Sequence, residues 1–304
     1  MKHKIIILLA TFNGEKYIKT QLNSLKSQTY KNIEIIAKDD CSDDNTVNIL
    51  QSYNITLLQS DTNSGPKKNF AYLLNYALKN CSSKYFMLCD QDDIWANDKV
   101  QKSLDALQKL ENSYGKIPLL VHTDLEVVDE KTNKICPSFA KYQNINYHKN
   151  SFEKLLMQNT ITGCTSIINR ELAEISKNIP DEAIMHDWWI GLCAAYFGKI
   201  NFINESTIRY RQHTMNTIGA TRLTFINIIK KIFTLTDKSI DHNISQAKIF
   251  LKIFNNELDE NTKVLLEKFI NINQKNFFEK RFFLIKNKLF KHGIIRNIGL
   301  FIKI

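Results

Sequence analysis

Glycine and proline are scarce, nine and four in 304 residues. That shortage leaves little room for a linker-rich chain or a turn-dense β-sandwich. The six cysteines (Cys41, Cys81, Cys89, Cys136, Cys164 and Cys193) are scattered, with no C-x-x-C pair and no zinc-like spacing. They read as reduced thiols of a cytoplasmic protein rather than as a disulfide framework or a zinc module. No uncharged apolar stretch approaches the roughly 18 residues that a membrane span needs. The start Met1-Lys2-His3-Lys4 and the apolar run 5–10 resemble a signal peptide only superficially. The run is short and passes directly into Thr11-Phe12-Asn13-Gly14-Glu15, so it reads as a first buried strand.

Acidic residues are also short against basic ones, for a net charge of +10, but the imbalance is local. Residues 221–304 hold sixteen Lys and Arg against seven Asp and Glu, whereas the first 220 hold 25 against 24. No nucleic-acid module accompanies the basic tail, so nucleic acid is not the expected partner. An anionic membrane surface or an anionic lipid-linked substrate suits such a tail better. With 43% hydrophobic and 24% charged residues, the chain can bury a proper core.

Short Ile- and Leu-rich runs alternate with helical periodicity. Residues 4–9, 33–37, 55–58 and 85–89 read as strands. Tyr17, Ile18, Gln21, Leu22 and Leu25 fall at helical spacing, as do Phe70, Leu73, Leu74, Ala77 and Leu78. Such alternation implies a mostly parallel, doubly wound sheet flanked by helices, because parallel neighbours need crossover connections. Farther on, 98–110, 151–157 and 186–197 read as helices, and 165–168 and 199–210 as strands. The polar stretch 123–147 reads as irregular with a short hairpin. From Leu223 the pattern is helical, with Phe225, Ile228, Ile229 and Ile232 on one face.

Two acidic clusters, 39–44 and 90–93, sit at the carboxyl ends of expected strands, where such sheets bind ligands. In Asp90-x-Asp92 two carboxylates one residue apart suit a hard divalent cation that takes substrate phosphates as its other ligands. A solvated turn is the alternative. Asp44 reads as a helix cap.

Taken in order, Ala10-Thr11-Phe12-Asn13-Gly14, Gln28-Thr29-Tyr30, Asp39-Asp40-Cys41-Ser42-x-Asp44-x-Thr46 and Asp90-Gln91-Asp92-Asp93-Ile94-Trp95 resemble the signature of the family 2 glycosyltransferases with the GT-A fold. Phe12 stands where Tyr is frequent in that family, and Cys41 where Gly is. The resemblance covers about the first 215 residues and implies a catalytic domain over 1–220 with a basic helical extension over 221–304. It also implies a nucleotide-sugar donor and Mg²⁺ or Mn²⁺. Thr11, Phe12, Asn13 and Asp40 would hold the nucleoside, with Asp39 acting through a neighbour. Gly65, Lys68, Asp90 and Gln91 are further donor-site candidates, plain solvation being the alternative for the lysine. Asp90 and Asp92 would bind the metal.

Inverting sugar transfer also needs a carboxylate that removes the acceptor hydroxyl's proton. The resemblance assigns this role to Asp187 in Met185-His186-Asp187-Trp188-Trp189, with a helix cap as the alternative. Trp95, Gly163, Cys164 and Trp188 are the acceptor-side candidates, core packing being the alternative for the tryptophan at 188. In Tyr210-Arg211-Gln212-His213-x-x-Asn216, Arg211 suits the diphosphate and His213 a third metal position. The combination of Cys89–Trp95 with His186–Trp189 and Tyr210–His213 is similar to a rhamnosyltransferase-type branch. That branch implies dTDP-L-rhamnose as donor and a cell-surface polysaccharide or lipopolysaccharide acceptor, free or lipid-linked. A UDP-hexose donor is the alternative. An aspartyl phosphohydrolase would want its Asp-x-Asp after the first strand, and a pyrophosphorylase an N-terminal glycine-rich loop, which is missing. A non-catalytic carbohydrate- or lipid-binding module is the remaining competitor.

Overall fold

The computed structural model describes residues 3–213 and 239–304. The first apolar run forms β1 (Ile5–Thr11), whose residues Ile5 to Leu9 are all fully buried. A strand covered on both faces reads as continuously apolar rather than alternating. Then come α1 (Ile18–Lys26), β2 (Ile33–Asp39), α2 (Thr46–Gln51), β3 (Thr56–Gln59), α3 (Pro66–Asn80) and β4 (Tyr85–Cys89). β1 pairs in parallel with β2 and β4, and β2 with β3. This is the doubly wound unit that the sequence implies. α3 begins with Gly65 at φ 82 followed by Pro66 at the first helical position, where the missing N–H has no helical partner to lose. Its Phe70, Leu73, Leu74, Ala77 and Leu78 are buried against the sheet, each large side chain contributing about 1.5–3 kcal/mol.

Past β4 the sheet becomes mixed. The chain continues through β5 (Ile94–Trp95), α4 (Lys99–Tyr114), β6 (Leu119–Val128), β7 (Lys134–Cys136), α5 (Phe139–Gln143) and α6 (Phe152–Met157). A 3-10 turn (Gly163–Thr165) then leads to β8 (Ile167–Asn169), α7 (Arg170–Ser176), α8 (His186–Phe197) and β9 (Lys199–Arg211). The strand order is β3-β2-β1-β4-β8-β6-β9-β5, with β7 paired to β6. β8 runs antiparallel to both β4 and β6, while β6 and β9 are parallel. The parallel arrangement therefore holds over β1–β4 and gives way where β8 reverses.

The polar stretch after residue 122 is more regular than its composition implies, because β6 runs on to Val128 before turning back as β7. Its polar side chains are satisfied inside the fold. Thr123 and Thr207 share a hydroxyl hydrogen bond of 2.7 Å. Asp124 accepts the N–H groups of Leu125, Phe139 and Ala140.

The second described segment holds α9 (Ser239–Phe254), α10 (Glu260–Ile270), α11 (Phe277–Lys286) and α12 (Ile294–Lys303). α9 joins the core under the sheet, where the Phe250 ring lies 5.2 Å from Phe152, 5.6 Å from Trp189 and 4.8 Å from Phe254. Asn243 donates to the carbonyls of Leu156 and Met157. Among the described residues no helix is long and apolar enough to cross a membrane. The expected boundary at 220/221, the helical face from Leu223 to Ile232, and Asn216 lie outside the described residues.

Candidate active site

Strand register brings the acidic clusters together. Thr11 pairs with Asp39 and Leu9 with Cys89, so the loops after β1, β2 and β4 leave the sheet along one carboxyl edge. Asn13 takes a left-handed backbone, φ 47. It donates its amide to Ser42 Oγ and accepts the Asp43 N–H on its side chain. Gln91 clamps the same loop from β4, its Oε1 accepting the Phe12 N–H at 2.8 Å and its Nε2 donating to the Phe12 carbonyl at 2.7 Å. Gly14 allows this approach, since a Cβ there would lie 2.3 Å from Gln91 Oε1.

These loops open on a cavity of about 870 Å³. Thr11, Phe12, Asn13, Asp40 and Gly65 line it from the first βα loops, and Asp90, Gln91 and Asp92 from the exit of β4. Gly163 comes from the 3-10 turn, Asp187 and Trp188 from the first turn of α8, and His213 from just beyond β9. Three acids far apart in sequence, Asp40, Asp92 and Asp187, thus share one cavity.

Their surroundings differ. Asp40 is buried; its carboxylate accepts the N–H groups of Ser64 and Gly65 at 3.0 and 2.7 Å and the Ser64 hydroxyl at 2.9 Å. Asp92 Oδ2 lies 2.7 Å from His213 Nε2, and the His213 ring stacks 4.7 Å from Tyr17. Burial first, and the neighbouring Asp92 second, push the Asp90 carboxyl up to about 7. Asp187 rises to about 6 through burial, opposed by the N–H groups of Gly163 and Trp188 and the amide of Asn159. Asn159 Nδ2 and the Gly163 N–H each donate to it at 3.0 Å. Beneath the pair at 90 and 92, Asp93 is fully buried and its carboxyl is pushed far up by burial and by Asp92 and Asp90. Lys99, also buried, donates to the Thr165 carbonyl and lies 4.7 Å over the Trp95 ring. Burial draws its ammonium down to about 8.

Asp39 stands behind the cavity lining, its carboxylate accepting the Thr11 hydroxyl and both the N–H and hydroxyl of Ser42 and so tying the first two loops together. Four candidates stand elsewhere than the sequence implies. Lys68 is exposed and pairs with Asp181 at 3.3 Å. Trp95 is buried in the core with residues of α1 and α4. Cys164 is buried as well, its thiol within 4.8 Å of the Asp90 and Asp93 carboxylates and outside the cavity lining. Arg211 lies behind the cavity wall, its guanidinium donating to the carbonyls of Asp92 and Glu130 and covering the Tyr17 ring at 4.8 Å. It holds the Asp92 loop. Trp188 does line the cavity, while its neighbour Trp189 is core.

Asn159, Tyr17 and Arg296 also line the cavity. Asn159 belongs to a polar turn ending in Gly163, a signal visible in hindsight. Arg296 sits on α12, 109 residues beyond Asp187, and nothing local in the sequence joins them.

A divalent cation fits the exit of β4 by its donor chemistry. The neighbouring Asp92 raises the cost of ionising Asp90, and a bound cation would relieve it. Asp90, Asp93 and Cys164 also place ligand atoms within 4.8 Å of one another. Burial keeps the Cys164 thiol protonated, so that trio suits a hard cation less well.

The family model described as glycosyl transferase family 2 matches residues 6–175. An uncharacterised glycosyltransferase of Rickettsia typhi is 27% identical over 256 residues, 82% of this chain and 75% of that protein. The dTDP-rhamnosyl transferase RfbG of Shigella flexneri is 29% identical over 228 residues, 70% of this chain and 74% of the relative. The UDP-Glc:alpha-D-GlcNAc-diphosphoundecaprenol beta-1,3-glucosyltransferase WfgD of Escherichia coli is 27% identical over 54% of this chain and 59% of its own length. In fold, the chain is similar to S. aureus TarS 1-349 in complex with UDP, with TM-score 0.58 and 20% identity over 88% of this chain and 71% of that one. It spans 43% of the longer TarS chain. The mannosyltransferase PcManGT of Pyrobaculum calidifontis, in complex with GDP-Man and Mn²⁺, gives TM-score 0.55 at 14% identity over 95% of this chain and 74% of that one. With a matching model over more than half its length and the mixed sheet of the GT-A enzymes, the chain belongs to glycosyl transferase family 2.

Proposed function

We propose that the protein is an inverting glycosyltransferase that moves L-rhamnose from dTDP-L-rhamnose to a hydroxyl of a growing cell-surface polysaccharide or lipopolysaccharide glycan. The observation that carries this reading is the meeting of Asp40, Asp92 and Asp187 on one cavity. Thr11, Phe12, Asn13, Asp40 and Gly65 take the nucleoside end. Asp90 and Asp92, with His213 beside them, would hold Mg²⁺ or Mn²⁺, which when bound would supply the positive charge that a departing diphosphate needs. Asp187 is the base. With its carboxyl near 6 it is ionised at neutral pH yet more basic than an ordinary aspartate. It takes the acceptor hydroxyl's proton as that oxygen bonds to the anomeric carbon and the bond from carbon to the diphosphate oxygen breaks. Asn159 and the Gly163 N–H orient it. Trp188 and Gly163 flank the acceptor side.

The donor sugar rests on the likeness to RfbG. WfgD, named for UDP-Glc, supports a second reading in which the donor is a UDP-hexose such as UDP-glucose or UDP-galactose. Thermal-shift measurements with dTDP-, UDP- and GDP-sugars, each with and without Mn²⁺ or Mg²⁺, separate the two, because a ligand that binds only the folded state raises its melting point. We expect metal-dependent stabilisation by dTDP-rhamnose, lost in Asp92→Asn. Stabilisation by a UDP-sugar alone would move the assignment to the second reading, and stabilisation by none would sink both.

A further inference from the structure

The last two helices carry an apolar surface that the catalytic cavity does not use. Of the thirteen large apolar side chains exposed among the described residues, seven lie between 277 and 302: Phe277, Phe278, Phe282, Ile285, Ile294, Ile298 and Ile302. Phe278, Phe282 and Ile285 recur at i, i+4 and i+7 on α11, and the three isoleucines at i, i+4 and i+8 on α12, so each helix presents one stripe. Phe278 is 79% and Ile294 80% exposed. The opposite faces are anchored, with Phe283, Leu284 and Leu300 buried in the core. Arg281 joins the two helices by donating to the Phe301 carbonyl, while its guanidinium covers the Phe277 ring.

Charge selects the occupant. Residues 275–304 hold eight Lys and Arg and one acid, Glu279, which is already engaged in the capping box of Asn276. A second copy of this chain docked here would set two basic rims face to face. The phenylalanines of α11 offer flat faces, but the isoleucine stripe of α12 beside them does not continue a stacking track of the kind single-stranded nucleic acid uses. Phenylalanine and isoleucine rimmed by cations match the boundary between anionic headgroups and acyl chains.

We propose that α11 and α12 form a docking face for an anionic lipid bilayer. α12 also contributes Arg296 to the wall of the cavity, so docking brings the cavity beside the lipid surface. The acceptor class that follows is a lipid-linked glycan; this last step rests on the transferase reading, whereas the docking face itself does not.

Flotation of the full chain with vesicles tests it, using phosphatidylcholine alone and an equal mixture of phosphatidylcholine and phosphatidylglycerol. The expected result is binding to the mixed vesicles, little to the neutral ones, and weakening by added salt. Phe278→Glu/Phe282→Glu/Ile298→Glu, all at exposed positions, is expected to lower apparent affinity by roughly tenfold or more. Lys286→Glu/Lys288→Glu is expected to weaken binding to the anionic vesicles and flatten the salt dependence. Absence of flotation, or flotation unchanged in the triple variant, overturns the proposal. So does a dimer in sedimentation analysis that the triple variant turns into a monomer, which would assign the face to a second copy. The thermal shift with nucleotide sugar reads the cavity alone and separates a failed docking face from a failed transferase reading.

Discussion

Asp187 shows how much one carboxyl depends on its setting. Burial lifts it to about 6 from an ordinary 3.8, and four hydrogen-bond donors, the N–H groups of Gly163, Trp188 and Asp187 and the amide of Asn159, pull it back. Asp187→Asn is expected to lower kcat by about 10²–10⁴-fold while leaving nucleotide-sugar affinity near that of the wild type, a split read by steady-state rates and calorimetric titration. If Asp187 serves as the proposed base, the wild-type rate should fall on the acid side below about pH 6, as its carboxylate takes a proton. The effect on stability has the opposite sense. Between the ordinary and the raised value the folded protein holds a proton that the unfolded chain has lost, so this group's contribution is most favourable at acid pH and declines as pH rises through about 6. The melting temperature of Asp187→Asn should gain on that of the wild type over the same interval, by the equivalent of about 3 kcal/mol. A difference independent of pH would contradict the burial argument. The identity of this residue as an acid near a helix start was readable in the sequence; its partner Asn159 was not, because that contact closes only when the turn before β8 meets α8.

At the scale of the element, the 3-10 turn Gly163–Thr165 sets where Asp187 stands. A Cβ on Gly163 would lie 2.9 Å from His186 Nε2 and 3.4 Å from Asp187 Cβ. His186 has little room to yield, being buried and stacked at 4.0 Å on Phe70. Gly163→Ala should therefore displace the start of α8, lowering stability by about 1–3 kcal/mol and kcat by roughly tenfold or more. Kinetics and calorimetry on the same preparation check both, and an unchanged kcat would show that the turn does not govern the base. α3 was legible because its apolar spacing and its Gly65-Pro66 start agree with its packing. The length of β6 was not, since Thr123, Asp124 and Glu126 read as loop until β9 lies alongside, Thr207, Phe139 and Ala140 satisfy the first two, and Lys134 and Arg209 pair with the third.

Over the whole molecule, the first helix of the described tail packs into the core formed with β1, β4, α6 and α8. Phe250 and Phe254 share a core with Phe152, Trp189 and residues of β1 and β4. Phe250→Ala should cost about 3–5 kcal/mol, and the wild type should unfold in one calorimetric transition; two separable transitions would show an independent extension. The parallel unit β1–β4, the acidic clusters at its carboxyl edge and the basic character of the tail were readable from the residues alone, because apolar periodicity and charge are local properties of the chain. Which candidates reach the cavity depended on how the chain folds back on itself. Asp40, Asp92, Asp187 and His213 do, whereas Asp39, Lys68, Trp95, Cys164 and Arg211 serve loops, surface or core. Side-chain direction and the meeting of Arg296 with residues more than a hundred positions earlier depend on long-range packing, which no local pattern encodes.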